Sequence, residues 1–170
     1  MKMRKLNKII FASLFAALIC LFNAVLHIPA PGGNGFLNIG DAFLINGVLF
    51  SGPYGIISAI IGGVLSDLIL GYAVYIPATA ILKGTGALII FLFCRKNKKI
   101  WVMLVSALVG EAIITAGYFI YEYFAMGLTQ GAALNIPFNI IQGVASLMFA
   151  AILYKPFEKI FKTEKKAREE

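Results

Sequence analysis

The chain has 170 residues, of which 60% are hydrophobic and only 14% are charged. An ordinary soluble domain carries about 25% charged residues, so this chain has too few of them to solvate a water-facing surface. Its apolar runs are continuous over about 17 to 20 residues, the length that a helix needs to cross about 30 Å of hydrocarbon. Barrel strands would alternate in shorter segments. The composition therefore predicts an all-α integral membrane protein.

Glycine, proline and polar clusters divide the chain into six predicted helices, which would form one transmembrane bundle. Their predicted bounds are about 9–28, 38–51, 54–70, 77–94, 100–124 and 136–155, with a basic tail over 156–170. The second helix, about 14 residues long, is short for a span. We expect it to be tilted, partly irregular or sheltered by its neighbours.

The first helix begins like a secretory signal, with basic residues before an apolar run. We interpret it as a retained helix, because the run from Ile9 to Ile28 is longer than a signal core and no small-x-small cleavage site follows. Both cysteines, Cys20 and Cys94, lie in or at the ends of apolar runs. They form neither a disulfide framework nor a metal-binding spacing, so we expect no metal and no cofactor.

The positions of the cations predict the orientation of the bundle. Fourteen of the fifteen Lys and Arg residues lie before the first helix, in the RKNKK turn at 95–99, or in the tail. Basic flanks stay in the cytoplasm, and with six spans these three clusters share one side. We therefore expect both termini to be cytoplasmic. The orientation of the helices explains why the basic residues are clustered and why the formal charge is +7. We therefore expect no nucleic-acid partner.

Charged residues lie within the predicted spans, among them Asp67, Lys83 and Glu111. Such residues face a protein interior, a partner or a ligand, because a charge near the bilayer centre costs a few kcal/mol. Asp67 follows Gly63 by four positions, on a stripe of small residues that permits close helix packing. Lys83 and Glu111 are each fourteen positions from Asn97, at the centre of the basic turn. They should lie at equal depth on antiparallel helices, and we predict that they pair, directly or through water.

Polar residues also recur at helical spacing on the last two helices. On the fifth helix they are Glu111, Thr115, Tyr118 and Glu122, and on the sixth they are Asn135, Asn139, Gln142 and Ser146. The predicted substrate-binding residues are Asn38, Asp41, Asp67, Tyr75, Lys83, Glu111, Tyr118, Asn135 and Asn139. Alternative roles remain open for some of them: Tyr75 is also suited to anchor the membrane interface, and Asn38 and Asp41 to cap the second helix.

Catalytic motifs are missing from the sequence. It contains no H-E-x-x-H, no G-x-S-x-G and no phosphate loop, since KGTG at 83–86 lacks the upstream glycine. We therefore expect a protein that is not an enzyme. An independent small secondary transporter or a channel for a polar solute is the alternative. The halves 1–94 and 95–170 show no convincing repeat, which counts against it.

Two segments carry a family resemblance. LNIGDAFLINGVLFSGPYG and LSDLILGYAVYIPATAILKGTGALI, within a six-helix layout, resemble the substrate-binding S-components of energy-coupling factor (ECF) vitamin transporters. The similar branch includes riboflavin-transporter-like proteins and the hydroxymethylpyrimidine or pyridoxine proteins. The likeness extends over about 5–155, and its most specific part is D-x4-Y-x2-Y-x-P-x5-K-G, from Asp67 to Gly84.

The resemblance implies a subunit that captures a vitamin or a precursor outside the cell with high affinity. Its implied partners are a transmembrane coupling subunit and two ATPase subunits, and its implied place is the plasma membrane of a bacterium. A pyridoxine-like or hydroxymethylpyrimidine ring is favoured. Riboflavin is less favoured, because the sole tryptophan, Trp101, lies at the inner end and could not stack on a large ring outside.

Small residues on the first helix extend the resemblance to partner binding. Ala12, Ala16 and Cys20 recur every fourth position and resemble the alanine motif by which S-components dock on the coupling subunit. Packing within the bundle is the alternative, because small residues also allow helices of one chain to approach closely.

Overall fold

A computed structural model describes residues 5–29, 36–37 and 39–166. Over these ranges the chain forms a bundle of six α-helices. The helices are α1 (Lys5–Val25), α2 (Asp41–Ser51), α3 (Pro53–Ile69), α4 (Ile76–Cys94), α5 (Ile100–Ile120) and α6 (Thr129–Lys166). A 3-10 turn at Ala73–Tyr75 precedes α4, and a π-helical turn at Tyr121–Ala125 continues α5. Two short strands, β1 (Ile28–Pro29) and β2 (Phe36–Leu37), pair in antiparallel fashion between α1 and α2.

The shortest helix, α2, lies at the centre of the bundle. Ten of its eleven residues are buried, as expected for a helix that is apolar on every side. It packs against α1, α3, α4 and α6. At 1.5 Å per residue it is only about 17 Å long. Because its neighbours shelter it from lipid, its length does not have to match the thickness of the bilayer.

The connection between α2 and α3 depends on Gly52. This residue adopts φ 66° and is followed directly by Pro53. Residues other than glycine are strained at such a positive φ, so glycine is what allows the chain to reverse here. Proline is tolerated in the first turn of α3, because the N–H that it lacks would have no hydrogen-bond partner within the helix there. Farther along α3, Gly62 lies so close to α1 that an added Cβ would stand 2.8 Å from the carbonyl oxygen of Ala16. These two helices are therefore in direct backbone contact.

Four segments are long and apolar enough to cross a membrane, among the described residues. They are Lys5–Val25, Ala73–Cys94, Ile100–Ala125 and Thr129–Thr163. The remaining helices, α2 and α3, are apolar but shorter. The expected count of six spans therefore depends on α2 and α3, which pack against each other.

The sixth helix is longer than expected at both ends. It begins at Thr129 rather than 136 and continues to Lys166 rather than ending at 155. At its start, Ala132 is 1% exposed, and its N–H donates to the carbonyl oxygen of Leu128 at 2.7 Å. This segment is helical because Ala132 is buried, although the glycine and polar residues of the segment indicated a loop.

Aromatic packing extends the other end of α6. The ring of Phe161 lies 4.2 Å from that of Phe11 and 4.8 Å from that of Phe50, between centroids. One turn earlier, the ring of Phe157 lies 5.1 Å from that of Phe15. The first part of the predicted tail is therefore packed on α1 and α2.

Other helix ends also differ from the predicted bounds. The first helix begins at Lys5 rather than 9, and α5 ends at Ile120 rather than 124, where the π-helical turn takes over. The first helix ends at Val25 rather than 28, because Ile28 and Pro29 pair with β2 instead of continuing the helix. The second begins at Asp41 rather than 38.

Candidate substrate site

A polar cavity of about 40 Å³ lies near the end of the bundle where α3 ends and α4 begins. Every helix except α2 contributes to its wall. It is lined by Asn23, Gly63, Ser66, Asp67, Tyr75, Thr79, Lys83, Tyr118, Glu122, Asn139 and Gln142. The basic turn between α4 and α5 lies at the opposite end of the bundle.

The lysine of the cavity forms a buried ion pair with the first residue of α2. Lys83 Nζ lies 2.6 Å from Oδ1 and 2.5 Å from Oδ2 of Asp41. Gln142 Nε2 also donates to Oδ2 of Asp41, at 3.0 Å. Asp41 is fully buried and Lys83 is 3% exposed. The N-terminus of α2 further stabilises the carboxylate, because the helix dipole is positive there.

The direct ion pair of Lys83 is formed with a residue other than the predicted one. Equal depth placed Glu111 beside it, but the side chain that receives the ammonium belongs to Asp41. Depth fixes only the position along a helix axis, whereas rotation about that axis decides which neighbour a side chain meets. Lys83 points towards the central helix α2. The pairing was missed because Asp41 was interpreted as a substrate-binding residue or a cap of the second helix, and not as a countercharge for Lys83.

One carboxylate of the cavity wall, Asp67, is only 4% exposed, and its Oδ2 has no hydrogen-bond partner among the described residues. Thr79, on α4, interacts with Asp67 and shares a 2.9 Å hydrogen bond with the phenol of Tyr118. Gly63 lets α4 approach, because a Cβ there would stand 2.8 Å from Cγ2 of Thr79. Asp67, which lines the cavity, thus keeps one acceptor oxygen without a partner among the described residues.

A hydrogen-bonded triad closes one wall of the cavity. Tyr75 Oη donates to Oε1 of Glu122 at 3.0 Å, and Asn135 Nδ2 donates to Oε2 of the same carboxylate at 3.0 Å. Tyr121 Oη donates to the carbonyl oxygen of Val74 at 2.6 Å. The triad therefore ties the 3-10 turn, the π-helical turn and α6 together. Short π-helical turns are frequent at functional sites.

The predicted site residues divide into groups in the structure. Asp67, Tyr75, Lys83, Tyr118 and Asn139 line the cavity, while Asp41 and Asn135 lie behind its wall. Glu111 lines a separate groove between α5 and α6. Asn38 lies outside the described residues.

Sequence analysis did not place the remaining wall residues in the site. Glu122 and Gln142 were on the polar stripes, and their helical spacing was the signal that could have identified them. Asn23, Ser66 and Thr79 carried no such signal. Asn23 donates to Ser66 Oγ at 2.9 Å across the α1–α3 contact.

Comparison with known proteins identifies the family of this bundle. The model of the ECF-type riboflavin transporter S component matches residues 3–159. The chain belongs to this family. The resemblance inferred from the LNIGD segment and the segment around Asp67 is therefore confirmed.

Two individual proteins resemble this S component. A solved structure of the S component of a bacterial ECF transporter has a TM-score of 0.75, with 20% identity, and covers 94% of this chain and 99% of that chain. At this identity the match shows the fold. An uncharacterized protein in a gap 3' region of Pyrococcus woesei is 27% identical over 126 residues, which are 73% of this chain and 83% of that protein.

The small residues of α1 in this S component border a groove against α3. The groove, of about 450 Å³, is lined by Ile9, Ala12, Ser13, Ala16, Ala17, Tyr54, Ile57, Ser58, Ile61 and Leu65. Ala12 and Ala16 form its floor, at 9% and 8% exposure, and Ser58 Oγ donates to the carbonyl oxygen of Ala12 at 2.7 Å. Cys20 is half-buried, while Ser13 and Ala17 are exposed. Ala12 and Ala16 thus pack within the chain and also border an open groove, whereas Cys20 does not line it.

Proposed function

We propose that this S component captures a small, water-soluble aromatic heterocycle from outside the cell with high affinity. A pyridoxine-like or hydroxymethylpyrimidine ring is the favoured substrate, and riboflavin is less favoured. The observation that carries the proposal is the polar cavity, with its ion-paired lysine, an aspartate that has one oxygen without a partner among the described residues, tyrosines and amides. Family membership supports the general role of a substrate-binding subunit.

The chemistry of the cavity suits a ring with hydroxyl and nitrogen groups. The free Oδ2 of Asp67 would accept a hydrogen bond from a ligand hydroxyl or amino group. Lys83, whose ammonium has three donors, and Asn139 would donate to a ring nitrogen or a phenolic oxygen. The phenol rings of Tyr75 and Tyr118, with centroids 6.1 Å apart, provide flat surfaces for stacking.

The size of the cavity indicates how a ligand would enter. Its volume of about 40 Å³ holds a few water molecules, whereas sites for small organic ligands are typically about 300–1,000 Å³. Binding therefore requires the wall to move. The triad of Tyr75, Glu122 and Asn135 is the part that we expect to open, because it joins the two irregular turns. A small ring needs less expansion than riboflavin does.

We further propose that the chain is a single transmembrane domain with six spans, in the plasma membrane of a bacterium, with both termini in the cytoplasm. The three basic clusters lie at one end of the bundle, since Phe11 packs on Phe161 and Tyr154 Oη donates to the carbonyl oxygen of Lys98 at 3.0 Å. Desolvation and the charge of Lys8 both lower the pKa of Lys98, as expected where cationic ends converge.

The proposed partners are a transmembrane coupling subunit and two ATPase subunits. The S-component family implies interaction with an ECF module, and the groove between α1 and α3 is the proposed contact. Its floor of small residues allows close approach of another helix.

Ligand binding by the purified protein tests the proposed function. Protein extracted in mild detergent would be analysed by mass spectrometry for bound small molecules, and then by equilibrium dialysis with pyridoxine, 4-amino-5-hydroxymethyl-2-methylpyrimidine and riboflavin. We expect tight binding of one of the two smaller rings and its loss in Asp67→Asn. The control is Tyr123→Phe, which changes a phenol outside the cavity. Tight binding of riboflavin alone, or of no ring, would overturn the proposed substrate class.

A further inference from the structure

A second cavity lies between α5 and α6, on the side of the bundle that faces lipid. This α5–α6 groove has a volume of about 430 Å³, within the range of sites that bind small organic molecules. It is lined by Leu108, Glu111, Ala112, Thr115, Ala116, Phe119, Ile136, Asn139, Ile140, Gly143, Val144 and Leu147. Its rim is exposed and apolar, with Leu108, Ile140 and Val144 at 58%, 52% and 50% exposure. The groove therefore opens to the hydrocarbon of the membrane.

Small residues create the groove. Ala112 and Ala116 are exposed on α5, and Gly143 faces them from α6. A Cβ at Gly143 would stand 3.2 Å from Cβ of Glu111 and 3.5 Å from its Oε2. The carboxyl group of Glu111 thus lies directly beneath Gly143, on the floor of the groove.

One oxygen of the Glu111 carboxyl group is buried without a hydrogen-bond partner among the described residues. Glu111 is 5% exposed, and the oxygen without a partner is its Oε1. Lys83 and Gln142 both donate to Asp41 and not to this oxygen. A buried acceptor without a partner costs free energy, so a ligand that supplies a donor would be stabilised here.

We propose that the α5–α6 groove binds an apolar molecule that carries one hydroxyl group and enters from the membrane. The hydroxyl donates to the carboxyl group of Glu111, which lines the groove, and the apolar body lies against Ala112, Ala116 and Ile140. A hydroxyl suits this position better than an ammonium, because a charged head would cost more to transfer out of water. The site is separate from the polar cavity, with only Asn139 common to both walls, and does not depend on which ring the cavity binds.

Photolabelling of the protein in phosphatidylcholine nanodiscs tests this site. The probe is a diazirine-bearing dodecanol, and the matched probe is its methyl ether, which has the same apolar body and no donor. Mass spectrometry of the peptides locates the labels. We expect saturable labelling of α5 and α6 around the groove, with at least about fivefold preference for the alcohol, since one hydrogen bond provides a factor of this size.

Three variants connect the labelling to the groove. Ala116→Phe fills it and should abolish labelling there, and Ala112→Phe serves if the first variant folds poorly. Glu111→Leu removes the acceptor, so the alcohol and the ether should label this variant about equally. The control Val105→Phe enlarges a residue of α5 that is 56% exposed and lies outside the groove, and should leave labelling unchanged. Equal labelling by alcohol and ether, or labelling that survives the filled groove, would overturn the proposal.

Discussion

At the scale of single residues, the buried charges show which part of a site a sequence can reveal. Asp67 and Lys83 were identifiable because each interrupts an apolar run, and a charge in such a run needs a partner or a ligand. The partner of Lys83 was not identifiable by depth along the helices. Asp41, which receives the ammonium, belongs to a helix whose position at the centre follows from tertiary packing alone.

The ion pair leads to a prediction about stability. Lys83→Met and Asp41→Asn should each lower the free energy of unfolding by about 3–5 kcal/mol, because each leaves its partner buried without a countercharge. The double variant should recover part of this loss. Thermal unfolding of the four proteins in one detergent measures the interaction between the two positions.

Glu111 provides the control for this cycle. It is buried at 5% exposure, but Lys83 pairs with Asp41 instead. Combining Lys83→Met with Glu111→Gln should therefore recover less stability than combining it with Asp41→Asn. Greater recovery with Glu111→Gln would indicate that the pairing inferred from equal depth is the one that stabilises the bundle.

At the scale of elements, the helices were easier to predict than their ends. Long apolar runs between glycine, proline and polar clusters mark where helices lie. The ends depend on contacts that a single sequence does not display: Ala132 is buried under its neighbours at the start of α6, and Phe161 packs on Phe11 near its end. The π-helical turn after α5, which positions Glu122, likewise had no pattern of its own in the sequence.

The groove between α1 and α3 leads to a prediction about assembly. Ser13→Leu combined with Ala17→Leu should block co-purification with the coupling subunit and leave substrate affinity within about twofold. Both residues are exposed on the groove, so larger side chains there would obstruct a partner helix without entering the bundle. Ala12 and Ala16 are less suitable targets, because they already pack against α3.

The matched control for the assembly test is Leu14→Phe. Leu14 is 48% exposed on α1 and lies outside the groove, so this variant should still assemble. If the leucine variants lost substrate binding together with assembly, the small residues would serve packing within the chain, and the proposed docking surface would be wrong.

At the scale of the whole molecule, the ends of the bundle differ in chemistry. One end gathers the start of α1, the basic turn after α4 and the end of α6, held by the pairing of Phe11 with Phe161 and the bond from Tyr154 to Lys98. The polar cavity lies towards the other end. Because basic segments stay in the cytoplasm, this arrangement supports a cavity that takes its substrate from outside.

The orientation can be tested with single cysteines in a background that carries Cys20→Ala and Cys94→Ala. Lys96→Cys lies in the basic turn and Gln130→Cys lies at the start of α6, and both positions are exposed. In intact cells, a membrane-impermeant maleimide should label Gln130→Cys and leave Lys96→Cys unlabelled until the membrane is permeabilised. The reverse pattern would place the cavity towards the cytoplasm, and equal labelling of both positions in intact cells would contradict a fixed orientation set by the three basic clusters.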